Sequence, residues 1–219
     1  MQNGIPTKTS SVPDSNWRVA HGTVFVLLVI CGLFFPALRR WPWVWLVPFA
    51  IYFLAAASIP QLRRSLHWLS AGRLSVATVG TTLAAMVVTA LALLTFHATA
   101  RPDVDGFREL HSLNAIGGVV VGGVIFTIVN ATLEELAFRG ILFDALDSQW
   151  GPWITLIVTS ALFGLGHWSG YPPGPVGVCL ATLFGFAMGA LRLWPRGLAL
   201  PIAAHMVADA TIYFLVLRS

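Results

Sequence analysis

NAIGGVVVGGVIFTIVNATLEELAFRGILFDAL, residues 114–146, decides how the whole chain is read. From Ile116 to Val129 it carries no charge. A helix needs roughly 20 apolar residues, at about 1.5 Å each, to cross the hydrocarbon of a bilayer. Glu134, Glu135 and Arg139 then interrupt the run, and apolar residues resume at Gly140-Ile141-Leu142-Phe143. A charge at the bilayer centre costs at least about 2.5–3.5 kcal/mol on insertion scales, so ionisable groups placed there are a sign of function. The bland alternative is the polar end of a span at the membrane surface.

The remaining chain repeats the apolar pattern. Of 219 residues, 57% are hydrophobic and 10% charged, against about 45–50% and about 25% in soluble domains. Mean hydropathy is +0.78. So few charges cannot cover the surface of a globule this size. The same numbers exclude a disordered chain, and two cysteines, Cys31 and Cys179, exclude a disulfide scaffold. The net charge of +4 comes from arginines scattered as pairs, Arg39-Arg40 and Arg63-Arg64, beside apolar runs. That is how the flanks of membrane helices look, and no basic patch with interleaved aromatics points to nucleic acid.

The expected fold is therefore all-α, a polytopic membrane bundle of about seven helices (six to eight). Spans are expected at about 21–38, 42–60, 76–98, 114–146, 152–168, 176–193 and 197–216. Residues 1–20 read as a polar, disordered tail, 21–113 as N-terminal membrane helices and 114–216 as the core that carries the chemistry. The first apolar run lacks a small-residue cleavage site and is kept as an anchor. Lys8, Arg18, Arg63, Arg64, Arg73, Arg192 and Arg196 fall on one side and Arg39, Arg40, Arg101, Arg108 and Arg218 on the other, which favours a cytoplasmic N-terminus. Trp41, Trp43, Trp45 and Trp68 are expected in the headgroup zone. Gly118 with Gly122, and Gly185 with Gly189, have the spacing that lets helices approach closely in lipid.

Three clusters break the apolar runs. Asn130, Glu134, Glu135 and Arg139 form the first. Glu135 and Arg139 are four apart with the acid N-terminal, the better order for an ion pair, which leaves Glu134 free about 100° round the helix. The second is Phe163-Gly-Leu-Gly-His167. The third is His205 and Asp209, four apart on one face, where an Asp can fix which imidazole nitrogen faces a site. Depth connects them. Glu134 precedes the turn near Gln149-Trp150-Gly151-Pro152 by about fifteen residues and His167 follows it by about fifteen, so both lie roughly 22 Å away. His205 and Asp209 follow the turn near Trp194-Pro195-Arg196-Gly197 by roughly 12–18 Å. Three helices thus bring acids, imidazoles and an arginine near one level.

At these residues the chain resembles the CAAX protease and bacteriocin-processing family of intramembrane endopeptidases. The family pattern, Glu-Glu-x-x-x-Arg, Phe-x-x-x-His and His-x-x-x-Asn or Asp, reads here as Glu134-Glu135-x-x-x-Arg139, Phe163-x-x-x-His167 and His205-x-x-x-Asp209. The resemblance covers roughly 114–216 and implies hydrolysis of a peptide bond in a membrane-associated peptide or protein, with the lipid bilayer as the other partner and a bacterial inner membrane as the setting. It implies Glu134 as the base that activates water, His167 as its second holder, and His205 with Asp209 at the oxyanion. Glu135 and Arg139 would be the supporting pair. The family often has Asn at position 209. An ionised Asp cannot donate to an oxyanion, so Asp209 instead orients His205, is protonated, or binds a metal. The resemblance fixes no cofactor, and zinc held by Glu134, His167 and His205 is the alternative mechanism.

Other chemistries fit less well. No His-Glu-x-x-His is present. Gly166-His-Trp-Ser-Gly170 has an extra residue relative to a serine rhomboid motif, and Ser169 with His205 would be the dyad. Only Asp209 is placed for a paired-aspartate site. A non-catalytic binding or immunity protein and a proton-coupled transporter remain the functional alternatives. The transporter would bring inverted repeats, and none is visible. The proline-rich loop Trp168-Ser-Gly-Tyr-Pro-Pro-Gly-Pro175, directly after His167, is expected to gate the substrate path.

Overall fold

The computed structural model describes residues 15–38, 40–104 and 114–218. The expected tail over 1–14 and the part of the connection at 105–113 lie outside these residues. All regular structure among the described residues is helical. In chain order it comprises α1 (Ser15–Leu33), α2 (Trp43–Ser58), α3 (Pro60–Arg64) with a 3-10 turn over Ser65–Trp68, and α4 (Val76–Ala100). Then come α5 (Asn114–Glu135), a π-helical stretch over Leu136–Leu142, α6 (Phe143–Gly166), α7 (Gly174–Leu193) and α8 (Ala199–Arg218).

Among the described residues, 5 helices are long and apolar enough to cross a membrane, or 6 if the bent pair Trp43–Ser58 and Pro60–Trp68 is one span. One of them, Gly118–Gly166, runs for 49 residues, more than twice what a crossing needs. It folds back at Gly151, whose φ of 73° is left-handed and breaks the helix before Pro152. Its two arms are separate crossings, which gives the polytopic all-α bundle expected.

Helix ends follow local chemistry. Ser75 caps α4: its Oγ accepts from Thr78 N at 3.2 Å while Thr78 Oγ1 accepts from Ser75 N at 2.9 Å. The first helix starts at Ser15, six residues before the expected start of the first span at 21, and Arg18 in its first turn has a partner across the bundle. Its Nη2 donates to Asp144 Oδ1 at 2.6 Å and its Nε to Oδ2 at 3.1 Å. The connection after the 3-10 turn is tied to the α7–α8 turn by backbone bonds, Arg73 N to Pro195 O and Leu198 N to Ser70 O, both 2.8 Å.

Small residues set the close approaches, with one correction. Gly185 faces Phe163 and Ser160 on α6, and Gly189 faces Leu156, as their spacing suggested. On α5 Gly122 is buried and Gly123 lies against the Tyr213 ring, whereas Gly118 faces open space at φ +84°. Trp68 is 2% exposed and packs its ring over Gly140, so the indole belongs to the core of the bundle. Gly140 has no side chain to hold the indole away, and no spacing rule reveals that pairing.

Candidate active site

The site begins at the π-helical stretch. A π turn inserts an extra residue into an α-helical register and re-aims the side chains around it; such turns are frequent at functional sites. Here it follows Glu135 directly and contains Arg139, both 0% exposed. Arg139 Nη1 donates to Glu135 Oε1 at 3.1 Å and Nη2 to the Gly185 carbonyl at 2.9 Å. Its guanidinium lies 4.4 Å from the Phe163 ring centroid. Arg192 Nε donates to the Arg139 carbonyl at 3.1 Å, so α7 holds the π turn at two points. A buried charge needs this density of partners.

The hairpin at Gly151 brings the other clusters to this level. Phe138 and Phe163 meet edge to face at 5.1 Å, and His205 meets Phe184 at 5.1 Å and Phe163 at 5.8 Å. His167 stacks on Phe163 at 4.3 Å. Phe163 therefore touches Arg139 and both imidazoles.

The two histidines have assigned nitrogens. His167 Nδ1 lies 2.7 Å from the Phe163 carbonyl. A carbonyl only accepts, so Nδ1 carries a proton, and Nε2 is the nitrogen left to face the site. His205 Nδ1 donates to Glu135 Oε1 at 2.8 Å. Its Nε2 lies 3.6 Å from Glu134 Oε2 and 3.7 Å from Asp209 Oδ1. The imidazole is thus oriented by Glu135, not by Asp209 as the i,i+4 spacing suggested. A neighbouring helix offers a shorter, better aligned acceptor than the next turn of the same helix. Asp209 instead accepts from Asn130 Nδ2 at 3.2 Å.

Glu134 is less enclosed than Glu135, its side chain 13% exposed against 0%, and the Oε2 of each is buried without a hydrogen-bond partner. Beside this cluster lies a cavity of about 330 Å³, lined by Phe163, His167, Tyr171, Phe184, His205 and Asp209 among others, within the size range of ligand sites. Val88 of α4 and Leu183 of α7 line it while staying largely exposed outside, so it opens between these helices. Tyr171, in the loop after His167, is buried, and its hydroxyl lies 2.6 Å from His97 Nδ1.

Glu134, Glu135, Arg139, His205 and Asp209 form one connected group, with His167 joined to it through Phe163. Ser169 is exposed and does not line the cavity. Among the described residues no three His, Cys, Asp or Glu side chains are grouped to hold a metal ion. His205 Nδ1 is bound to Glu135, which leaves Nε2 as the nitrogen that faces Glu134 and Asp209. The spacing of charged residues gives no sign of the π turn over Leu136–Leu142.

Residues 116–211 match the family model described as type II CAAX prenyl endopeptidase Rce1-like. No curated protein and no solved structure matches the chain.

Proposed function

We propose, from the match of residues 116–211 to the family model described as type II CAAX prenyl endopeptidase Rce1-like, that this chain is an intramembrane endopeptidase acting through a water activated by Glu134. The observation that carries this reading is the buried, unpartnered Glu134 Oε2 beside His205 Nε2 at 3.6 Å. A buried acceptor without a donor is costly, and a water held there satisfies it.

In this scheme the water donates one hydrogen to Glu134 and the other to His167 Nε2. Glu134 takes its proton as the oxygen attacks the peptide carbonyl carbon, forming the C–O bond and a tetrahedral oxyanion. His205, held through Nδ1–H by Glu135, turns Nε2 toward the reacting group and, as imidazolium, donates to the oxyanion. Collapse breaks the C–N bond, and the proton on Glu134 passes to the leaving nitrogen. Glu135 and Arg139 touch no reacting atom and act as positioning residues. The loop with Tyr171 closes the cavity beside His167 and regulates entry.

The substrate is a membrane-associated peptide. The apolar cavity wall suits a lipid-modified or otherwise hydrophobic segment, and the family name points first to a peptide ending in a prenylated cysteine. Purified protein in liposomes is given a prenylated-Cys peptide, the same peptide without the lipid, and a hydrophobic leader peptide, each against Glu134→Gln. Cleavage by the wild type alone supports the endopeptidase. A Glu134→Gln variant that cleaves as well as wild type contradicts it.

A further inference from the structure

We infer that Trp41 and Asn130 are positioning residues that set Asp209 in the site through a one-way chain of hydrogen bonds, an inference that rests on the hydrolytic reading of that site. Trp41 Nε1 donates to Asn130 Oδ1 at 3.1 Å, and Asn130 Nδ2 donates to Asp209 Oδ2 at 3.2 Å.

The direction follows from donor and acceptor types. An indole N–H only donates, and a carboxylate only accepts. Asn130, between them, can satisfy both in one orientation only. The flipped amide would set Nδ2 against the indole N–H and Oδ1 against the carboxylate. Trp41 thus decides which way the amide faces. The amide in turn takes Oδ2 of Asp209 and leaves Oδ1 facing His205 Nε2 at 3.7 Å. Asn130 and Asp209 are 8% and 3% exposed, and in so dry a place such bonds are stronger and their loss costs more. The indole is held independently of its N–H, packed on Phe126 at 5.4 Å, which stacks on Tyr213 of α8 at 5.9 Å.

Trp41 lies in the connection before α2, outside residues 116–211. The N-terminal half therefore contributes a residue to the chemistry as well as helices to the bundle. The i,i+4 face that carries His205 and Asp209 says nothing about this partner, 168 positions away for Asp209.

Two readouts test the chain. Trp41→Phe keeps the ring on Phe126 and removes only the donor; Trp41→Leu serves if that variant does not fold. In liposomes with a cleaved peptide, kcat falls about tenfold at unchanged KM. The double variant Trp41→Phe/Asn130→Leu loses no more than Asn130→Leu alone, because both act through one path. Separately, the ¹⁵N-indole signal absent from Trp41→Phe moves on Asp209→Asn, whatever the activity. A Trp41→Phe enzyme with wild-type kcat, additive losses in the double variant, or an indole signal unmoved by Asp209→Asn overturns the inference. If wild type and Glu134→Gln are equally inactive while the signal moves, the chain of bonds stands and the hydrolytic reading falls.

Discussion

His205 Nδ1 and Arg139 Nη1 share one acceptor, Glu135 Oε1, at 2.8 Å and 3.1 Å. A single carboxylate oxygen thereby locks α8 to the π-helical turn and fixes which face of the imidazole meets Glu134. Glu135→Ala leaves Arg139 buried without its counter-ion, a change that costs about 3–5 kcal/mol. Thermal unfolding in detergent should show a clear drop in melting temperature and loss of cleavage together. Unchanged melting would separate the pair from the fold.

Arg139 cannot be replaced by Lys. Its two Nη atoms reach different helices, Glu135 Oε1 and the Gly185 carbonyl, and its plane lies on Phe163. An ammonium has neither the fork nor the flat face. Arg139→Lys should lose about 1–3 kcal/mol of stability, the cost of leaving one buried acceptor unmade. Equal melting of the two proteins would show that one contact suffices.

Much of the site is legible in the chain because helices are rulers. Equal residue counts on either side of a turn put Phe138 opposite Phe163, and the same arithmetic about the next turn puts Phe184 beside His205. The i,i+4 spacing of Glu135 and Arg139 also reads directly as their ion pair. What periodicity does not carry is competition between helices. Asp209 has the right spacing to hold His205, yet Glu135 from another helix is closer. Trp68 has an interfacial composition around it, yet Gly140 leaves a hollow that the indole fills. The π turn has no hydrophobic period of its own.

That hollow gives a third expectation. A Cβ on Gly140 would run into the Trp68 ring, which is itself fully buried. Overpacking of this kind costs typically about 1–3 kcal/mol. Gly140→Ala should melt earlier, and adding Trp68→Phe, which shortens the ring, should recover part of the loss. No recovery would mean that the glycine serves the π turn and not the indole.

The Tyr171 hydroxyl, 2.6 Å from His97 Nδ1, ties the loop after His167 to α4 at the cavity. Tyr171→Phe keeps the ring and removes this bond, worth about 0.5–1.5 kcal/mol net. If the loop regulates entry, KM should change severalfold while kcat stays near wild type. A fall in kcat alone would place Tyr171 in the chemistry.

The central claim is that Glu134 activates the water without a metal. The most direct measurement is peptide cleavage in liposomes by the wild type, with and without a strong chelator, using Glu134→Gln as the blank. The account predicts full activity in chelator and a loss of about 10²–10⁴-fold or more in Glu134→Gln, with unchanged melting. Activity that vanishes in chelator and returns with added zinc would contradict it.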